Sequence, residues 1–237
     1  MRMMREDPLG LSIIIPAKNE EKNLPWVLTR IKKLSQKLPK HEIIVVDGHS
    51  TDKTREVAEK FGCRVIFDHN KGKGEAIRTA AKKAEGEILL FIDADGSHNP
   101  SDIPKLLRPI LNEGIDHVSG SRMLGGSEEL YKYIDQFVRL FGSVFLNVLT
   151  NYRFHVKLTD CQNGFRAIKK EVFEKLDLRE NITTIEQEMV IKTLKKGYRV
   201  TEVPTHEYER RSGESHIPII RYAPRYIYSW LKYMLFD

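Results

Sequence analysis

Cysteine is scarce: the 237 residues hold only Cys63 and Cys161, far apart and without metal-ligand spacing. That argues against a disulfide scaffold or a zinc framework and makes a reducing, cytoplasmic setting the expectation. Long apolar runs are missing too. Nowhere do about twenty apolar residues stand together, so no helical membrane span is predicted. Residues 1–10 carry charge but no apolar stretch of signal-peptide length. No zinc finger, RNA-binding sheet motif or basic heptad segment occurs, so a nucleic-acid polymer is not an expected partner. Neither internal repeats nor low-complexity linkers interrupt the chain, and one domain over 1–237 is expected.

With 41% hydrophobic and 30% charged residues, the chain has enough apolar side chains to bury a core. A formal charge of +6 suits anionic partners such as nucleotides, lipid phosphates or a membrane surface. The apolar run Leu11 to Ile15, closed by Pro16, reads as a buried strand ended by a breaker. Leu24, Val27, Leu28, Ile31 and Leu34 then share one helical face over 23–38. Strands at 42–46, 64–67 and 87–92 alternate with helices at 52–60 and 73–83. This alternation implies right-handed crossovers: an α/β fold with a doubly wound, mostly parallel sheet flanked by helices. The second half is less regular, with helices expected at 102–112, 134–150, 170–176 and 185–196, and strands at 116–119, 164–168 and 198–203.

Polar clusters fall where successive parallel strands end, which is where such sheets bind ligands. Pro16, Asn19 and Glu20 follow the first strand, and Asp47 to Asp52 follow the second. Asp47 in that place can accept from a base or ribose, although Asn19, Ser50 and Asp52 are equally ordinary helix-start residues. Asp93 and Asp95 follow an apolar strand directly. Two carboxylates in alternation can face one hard cation, magnesium or manganese, while reaching ribose or phosphate oxygens. Lys71 to Gly74 precedes a helix and either offers amides and the Lys73 ammonium to phosphates or forms a flexible turn. It matches neither a P-loop nor a dinucleotide fingerprint.

In order, the chain reads Ile14-Ile15-Pro16-Ala17-Lys18-Asn19-Glu20-Glu21, Val45-Val46-Asp47-Gly48-His49-Ser50-Thr51-Asp52, Asn70 to Gly74, Asp93 to Pro100 and Gly120-Ser121-Arg122. Later come Thr159 to Arg166, Glu188, Gly197 to Pro204 and Arg210 to Ser215. This set resembles the family-two inverting glycosyltransferases of GT-A fold, in particular the polyprenyl (dolichyl) phosphate mannose and glucose synthases. The resemblance covers nearly the whole chain.

It implies transfer of a hexose, mannose or glucose, from a GDP- or UDP-sugar to a polyprenyl phosphate, by a single displacement with inversion. It further implies that Pro16, Asn19, Glu20, Asp47 and Lys73 bind the donor. Asp93 would touch nucleotide and metal, and Asp95 would be a direct Mg2+ or Mn2+ ligand that supports catalysis. Some relatives carry glutamine where this chain has Ser97, the candidate third ligand, with His98 beside it. Arg122 and Arg139 resemble acceptor-phosphate grips, and Arg210 and Ser215 match a late segment that closes over both substrates. His216 stands in place of that segment's usual lysine, so phosphate binding there would depend on pH. Asp160 is the further carboxylate expected near the acceptor, either chemically active or orienting a loop.

A phosphate monoester, with its second pKa about 6, is already an anionic nucleophile at neutral pH. A sugar hydroxyl acceptor, the alternative within the same family, would need a positioned carboxylate base. Residues 217–237 form an amphipathic C-terminal segment with Ile227, Trp230, Leu231, Met234 and Leu235 on one face. It is expected either to lie in a membrane interface or to dock on the core. Many of the resembled enzymes carry transmembrane helices after the catalytic domain; the sequence here ends at Asp237, so a peripheral enzyme and a shortened chain are both open expectations.

Overall fold

The computed structural model describes residues 10–129, 134–213 and 219–236, with backbone alone for 134–141 and 219–222. The first half alternates β1 (Leu11–Ala17), α1 (Leu24–Leu34), β2 (His41–Asp47), α2 (Thr54–Lys60), β3 (Arg64–Phe67), α3 (Lys73–Lys83) and β4 (Ile88–Phe91). The second half runs α4 (Ile103–Glu113), β5 (His117–Ser121), α5 (Arg122–Gly125), α6 (Ile134–Phe154), β6 (Arg166–Lys169), α7 (Lys170–Lys175), α8 (Ile185–Lys195), β7 (Val200–Pro204) and α9 (Ile219–Leu235). Among the described residues seven strands lie in the order β3-β2-β1-β4-β6-β5-β7. Every pairing is parallel except those of β6, which runs antiparallel to both β4 and β5.

Period-two alternation on β1 feeds two cores. Leu11, Ile13 and Ile15 pack with Leu24, Val27, Leu28 and Ile31 of α1 and Leu106, Leu107 and Ile110 of α4. Ile14 points the other way, to Ala76, Ile77 and Ala80 of α3 and to Ile185 and Met189 of α8. Helices therefore cover both faces, as expected for parallel strands read as continuous apolar runs. Each fully buried leucine or isoleucine of α1 contributes roughly 1.5–3 kcal/mol by removal from water.

Pro16 does not end its strand, contrary to the expectation. β1 continues to Ala17, with Pro16 opposite Val46 of β2. The pairing with β4 stops at Ile14 opposite Phe91, so at Pro16 no ladder needs the amide proton that proline lacks. Strand order reverses at β1, whose neighbours are β2 on one side and β4 on the other. The crevice beyond their carboxyl ends is thus a topological switch point.

The C-terminal segment docks on the core, and its apolar residues divide. Trp230, Tyr233 and Met234 of α9 are buried with Leu146 of α6 and Ile191 of α8, while Ile227, Leu231 and Leu235 stay exposed. The expected single face is wider than the groove between α6 and α8 can cover. No helix among the described residues is long and apolar enough to cross a membrane.

Candidate active site

A cleft of about 320 Å³ opens at the carboxyl ends of β1 and β4 and is walled by Pro16, Glu20, Lys73, Asp93, Asp95, Ser97, Arg122 and Arg210 among others. That volume is in the range of small-ligand sites. Carboxylates outnumber cationic side chains among the described residues of its wall, seven against four, so a protein that is basic overall has an acidic cleft. Asn19, Asp47 and Asp160 lie beside the cleft and are not part of its wall. The Arg139 side chain, Ser215 and His216 fall outside the described residues.

Asn19 staples two loops together. It sits at φ 56°, a region that asparagine tolerates better than most residues. Its Oδ1 accepts from Thr51 N at 2.8 Å, and its own amide donates to Ser50 Oγ at 2.9 Å. Asp47 is buried, and its Oδ1 accepts from Ser50 N at 3.1 Å. Asn19 therefore does the helix-start chemistry that its type also predicted, and Asp47 holds the turn at Ser50.

Around Asp93 the structure builds a charged chain. Lys73 Nζ lies 2.6 Å from Asp93 Oδ1 and 2.9 Å from Glu186 Oε1. Burial opposes the lysine charge, but Asp93 and Glu186 more than offset it and hold the ammonium far above the ordinary lysine range. Burial likewise opposes the Asp93 charge, and Lys73 and His98 bring its carboxyl below the usual value.

The amides at the start of α3 are not free for phosphate. Gly74 N and Glu75 N both donate to Asn181 O, at 2.8 and 3.3 Å. A Cβ on Gly74 would stand 2.4 Å from Glu180 O, so only glycine lets this loop cap the helix. The Gly74 and Glu75 amides are thus engaged within the protein, while Lys73 and Gly72 line the cleft.

Asp95 accepts from Ser97 N at 3.0 Å and Ser97 Oγ at 2.7 Å through Oδ1. Its Oδ2 receives Arg210 Nη2 at 3.0 Å, and Arg210 Nη1 reaches Glu20 Oε1 at 3.2 Å. Ser97 in this state orients Asp95. Burial raises the Glu20 carboxyl above its usual value despite its bond from Asn23. His98 is buried and stacked on Phe165 at 5.3 Å. Burial depresses its imidazole, Nδ1 has no hydrogen-bond partner among the described residues, and Nε2 is 4.0 Å from Asp93 Oδ2.

Arg122, capped into α5 by Ser121, is gripped by two acids. Its Nε and Nη2 donate to Asp160 at 2.6 and 3.0 Å, and Nη1 donates to Glu207 Oε1 at 3.1 Å. Asp160 is 1% exposed. Burial would raise its carboxyl, but Arg122 more than offsets this and holds it below the usual range. Of the two roles expected for Asp160, the geometry therefore matches the orienting one. Glu129 and Glu207, neither anticipated from the sequence, share the wall. Burial and then Glu207 push the Glu129 carboxyl up. Glu188 faces away from the cleft wall, its carboxylate accepting the amides of Arg179 and Glu180 at 2.8 Å each.

The donor set fits a hard divalent ion. Asp93 and Asp95 both line the cleft, and each is paired with a side-chain cation in this state. Among the described residues no third His, Cys, Asp or Glu completes a three-ligand group. Two protein carboxylates suit magnesium or manganese, which keep water and substrate phosphate in their shell.

The sheet order, the one reversed strand β6 and the carboxylate pair after β4 define an α/β transferase of GT-A type. Residues 12–177 match the profile described as Glycosyl transferase family 2, and the chain belongs to that family of enzymes. It is 29% identical over 207 residues to the dolichyl-phosphate hexose transferase of Haloferax volcanii, covering 87% of this chain and 86% of that one. It is 34% identical over 234 residues to the dolichol-phosphate mannosyltransferase of Pyrococcus furiosus, covering 95% of this chain and 64% of the relative's length. The fold also matches glucosyl-3-phosphoglycerate synthase of Mycobacterium tuberculosis solved with Mn2+ and UDP-glucose, at TM-score 0.73 and 24% identity, over 95% of this chain and 79% of that one.

Proposed function

We propose that this chain, working as one transferase domain, moves a hexose from a GDP- or UDP-sugar to a polyprenyl phosphate with the help of Mg2+ or Mn2+. The observation that carries this reading is the acidic cleft with Asp93 and Asp95 at its floor. Seven wall carboxylates against four cations repel a diphosphate unless a divalent ion joins it. Asp93 and Asp95 would hold that ion, which when bound neutralises the departing diphosphate. Pro16, Glu20 and Lys73 would frame the donor, with Asn19 and Asp47 fixing the loops behind it. Arg210 would leave Asp95 when the ion arrives, freeing its guanidinium for phosphate oxygens. Arg122, anchored by Asp160 and Glu207, would face the acceptor, together with Arg139 of α6 and with Ser215, which lies outside the described residues.

An acceptor that is already anionic needs gripping and no base, which agrees with an Asp160 locked onto Arg122. The names of the Haloferax and Pyrococcus relatives support the same acceptor. A lipid acceptor also calls for work at a membrane surface. The exposed apolar residues of α6 and α9, among them Phe145, Val148, Leu231 and Leu235, suit peripheral contact from the cytoplasmic side. No Asp or Glu occurs in 142–157 or 223–236, whereas Arg153, Lys157 and Arg225 do. An anionic bilayer complements such a face; a second copy would bring like charges together.

The experiment incubates purified protein with Mn2+ or Mg2+, each radiolabelled GDP- or UDP-hexose, and a short polyprenyl phosphate, and extracts the lipid product. Labelled glycolipid is the expected outcome. Glycosylation of soluble hydroxyl acceptors without any lipid product would overturn the acceptor assignment. One observation favours that second reading: Glu129 faces the cleft with a carboxyl raised by burial, as a general base requires. Glu129→Gln would then abolish transfer to hydroxyls.

A further inference from the structure

We infer that Glu186, on the first turn of α8, is a positioning residue that sets the orientation and net charge of Asp93 through the Lys73 ammonium. This rests on the proposed reading of Asp93 as a metal ligand and adds a residue to it. Glu186 is 3% exposed, and its Oε1 lies 2.9 Å from Lys73 Nζ, which in turn lies 2.6 Å from Asp93 Oδ1. One ammonium therefore bridges two carboxylates that come from different helix and strand ends.

Packing locks the bridge from three sides. The loop before α8 caps α3 through Asn181 O, so the elements carrying Lys73 and Glu186 move together. Arg166 Nη1 donates to Glu186 O at 2.8 Å, fixing the first turn of α8. Gly164 leaves no slack, since a Cβ there would stand 2.6 Å from Lys73 Nζ and 2.9 Å from Asp93 Oδ2. Lys73 thus takes Oδ1 of Asp93, while Oδ2 lies 4.0 Å from His98 Nε2.

The charge count gives Glu186 its consequence. With Glu186 ionised, the Asp93–Lys73–Glu186 group carries one net negative charge, which attracts a divalent ion and repels a bare diphosphate. Without that carboxylate, Lys73 cancels Asp93 alone, the group is neutral, and both preferences are lost. Glu186→Gln keeps an oxygen for Lys73 to donate to while removing the charge, so it separates electrostatics from packing.

The test uses the full chain and two equilibrium titrations: Mn2+ alone followed by electron paramagnetic resonance, and GDP or UDP in EDTA followed by calorimetry. Glu186→Gln is expected to weaken Mn2+ binding about tenfold, the lower end for partners of metal ligands, and to tighten metal-free nucleotide binding roughly threefold. Gly164→Ala, which displaces the same bridge without removing charge, should weaken Mn2+ binding and leave metal-free nucleotide binding no tighter. If E186Q leaves both affinities unchanged, or weakens both together with a lowered Tm, Glu186 does not act through Asp93. Wild-type protein that binds no Mn2+, or D95A protein that binds it as well as wild type, would instead defeat the metal reading itself.

Discussion

The cleft and the α6–α9 face are chemical opposites within one chain. The cleft wall gathers Glu20, Asp93, Asp95, Glu129, Glu186 and Glu207, each held by hydrogen bonds or ion pairs or pushed by burial. The helical face exposes Phe145, Val148, Tyr152, Leu231 and Leu235 and has no acidic residue over 142–157 or 223–236. They meet at Tyr226, which lines the cleft from α9 and bonds Thr183 Oγ1 through its hydroxyl at 2.5 Å. Charge sign is thus sorted in space: acids gather where the proposed cation would be held, and bases with apolar side chains gather where the proposed anionic bilayer would lie. A net charge of +6 averages over this division and hides it.

The sharpest way to test the division is to remove one side of it. Asp95→Ala should lower turnover by about 10³-fold, in line with the loss of a group that stabilises charge in the transition state. Its binding to anionic vesicles, measured by co-sedimentation, should stay as in wild type. Loss of vesicle binding in that variant would mean that the two regions are not independent.

Arg122→Ala leaves Asp160 and Glu207 buried beside each other without their cation. Breaking a buried ion pair in this way costs about 3–5 kcal/mol, to be read from chemical denaturation. An unchanged midpoint would show that water or a rearranged side chain satisfies both acids.

On the helical side, Leu231→Glu with Phe145→Glu should reduce vesicle binding about tenfold through lost apolar contact and added repulsion. Mn2+ affinity should not change. If vesicle binding persists, another surface meets the membrane.

The smallest effect concerns acid stability. Glu75, one helical turn or less from Lys73, accepts from Thr79 and from the His69 amide at 2.9 Å. Burial would raise its carboxyl, yet these bonds hold it down, to about 2. A folded value below the unfolded 4.5 means that its stabilisation is complete above the unfolded value and fades as pH falls toward the folded one. Thermal melts from pH 7 to pH 3 should therefore show a shallower acid limb for Glu75→Gln. The acid-free stretches of the helical face contribute no such limb, so charge changes confined to Arg153 and Lys157 should leave its slope alone.

Much of the framework was legible in the chain itself. The runs Leu11–Ile15 and Glu42–Val46 and the helical spacing of Leu24, Val27, Leu28 and Ile31 encode buried strands and a covering helix, because apolar periodicity follows directly from backbone geometry. The pair Asp93 and Asp95 was legible because adjacency in sequence keeps both carboxylates at one strand end. Strand β6 was foreseen, but not its antiparallel insertion between β4 and β5, since nothing local distinguishes a reversed strand. Glu186 was missed because its partner Lys73 lies more than a hundred residues upstream, and Glu188 nearby offered an equally acidic position. Asp160 and Ser97 were singled out from the sequence, and their hydrogen bonds to Arg122 and Asp95 could be read only from the fold.

By itself the sequence determined the α/β alternation, the helical tail and which strand ends carry acids, since each of these depends on residues close together along the chain. Only the tertiary structure decided which cation neutralises which acid: Lys73 for Asp93 and Glu186, Arg210 for Asp95 and Glu20, Arg122 for Asp160 and Glu207. The physical reason is that electrostatic energy depends on distance through space and on burial, neither of which the order of residues along a chain contains.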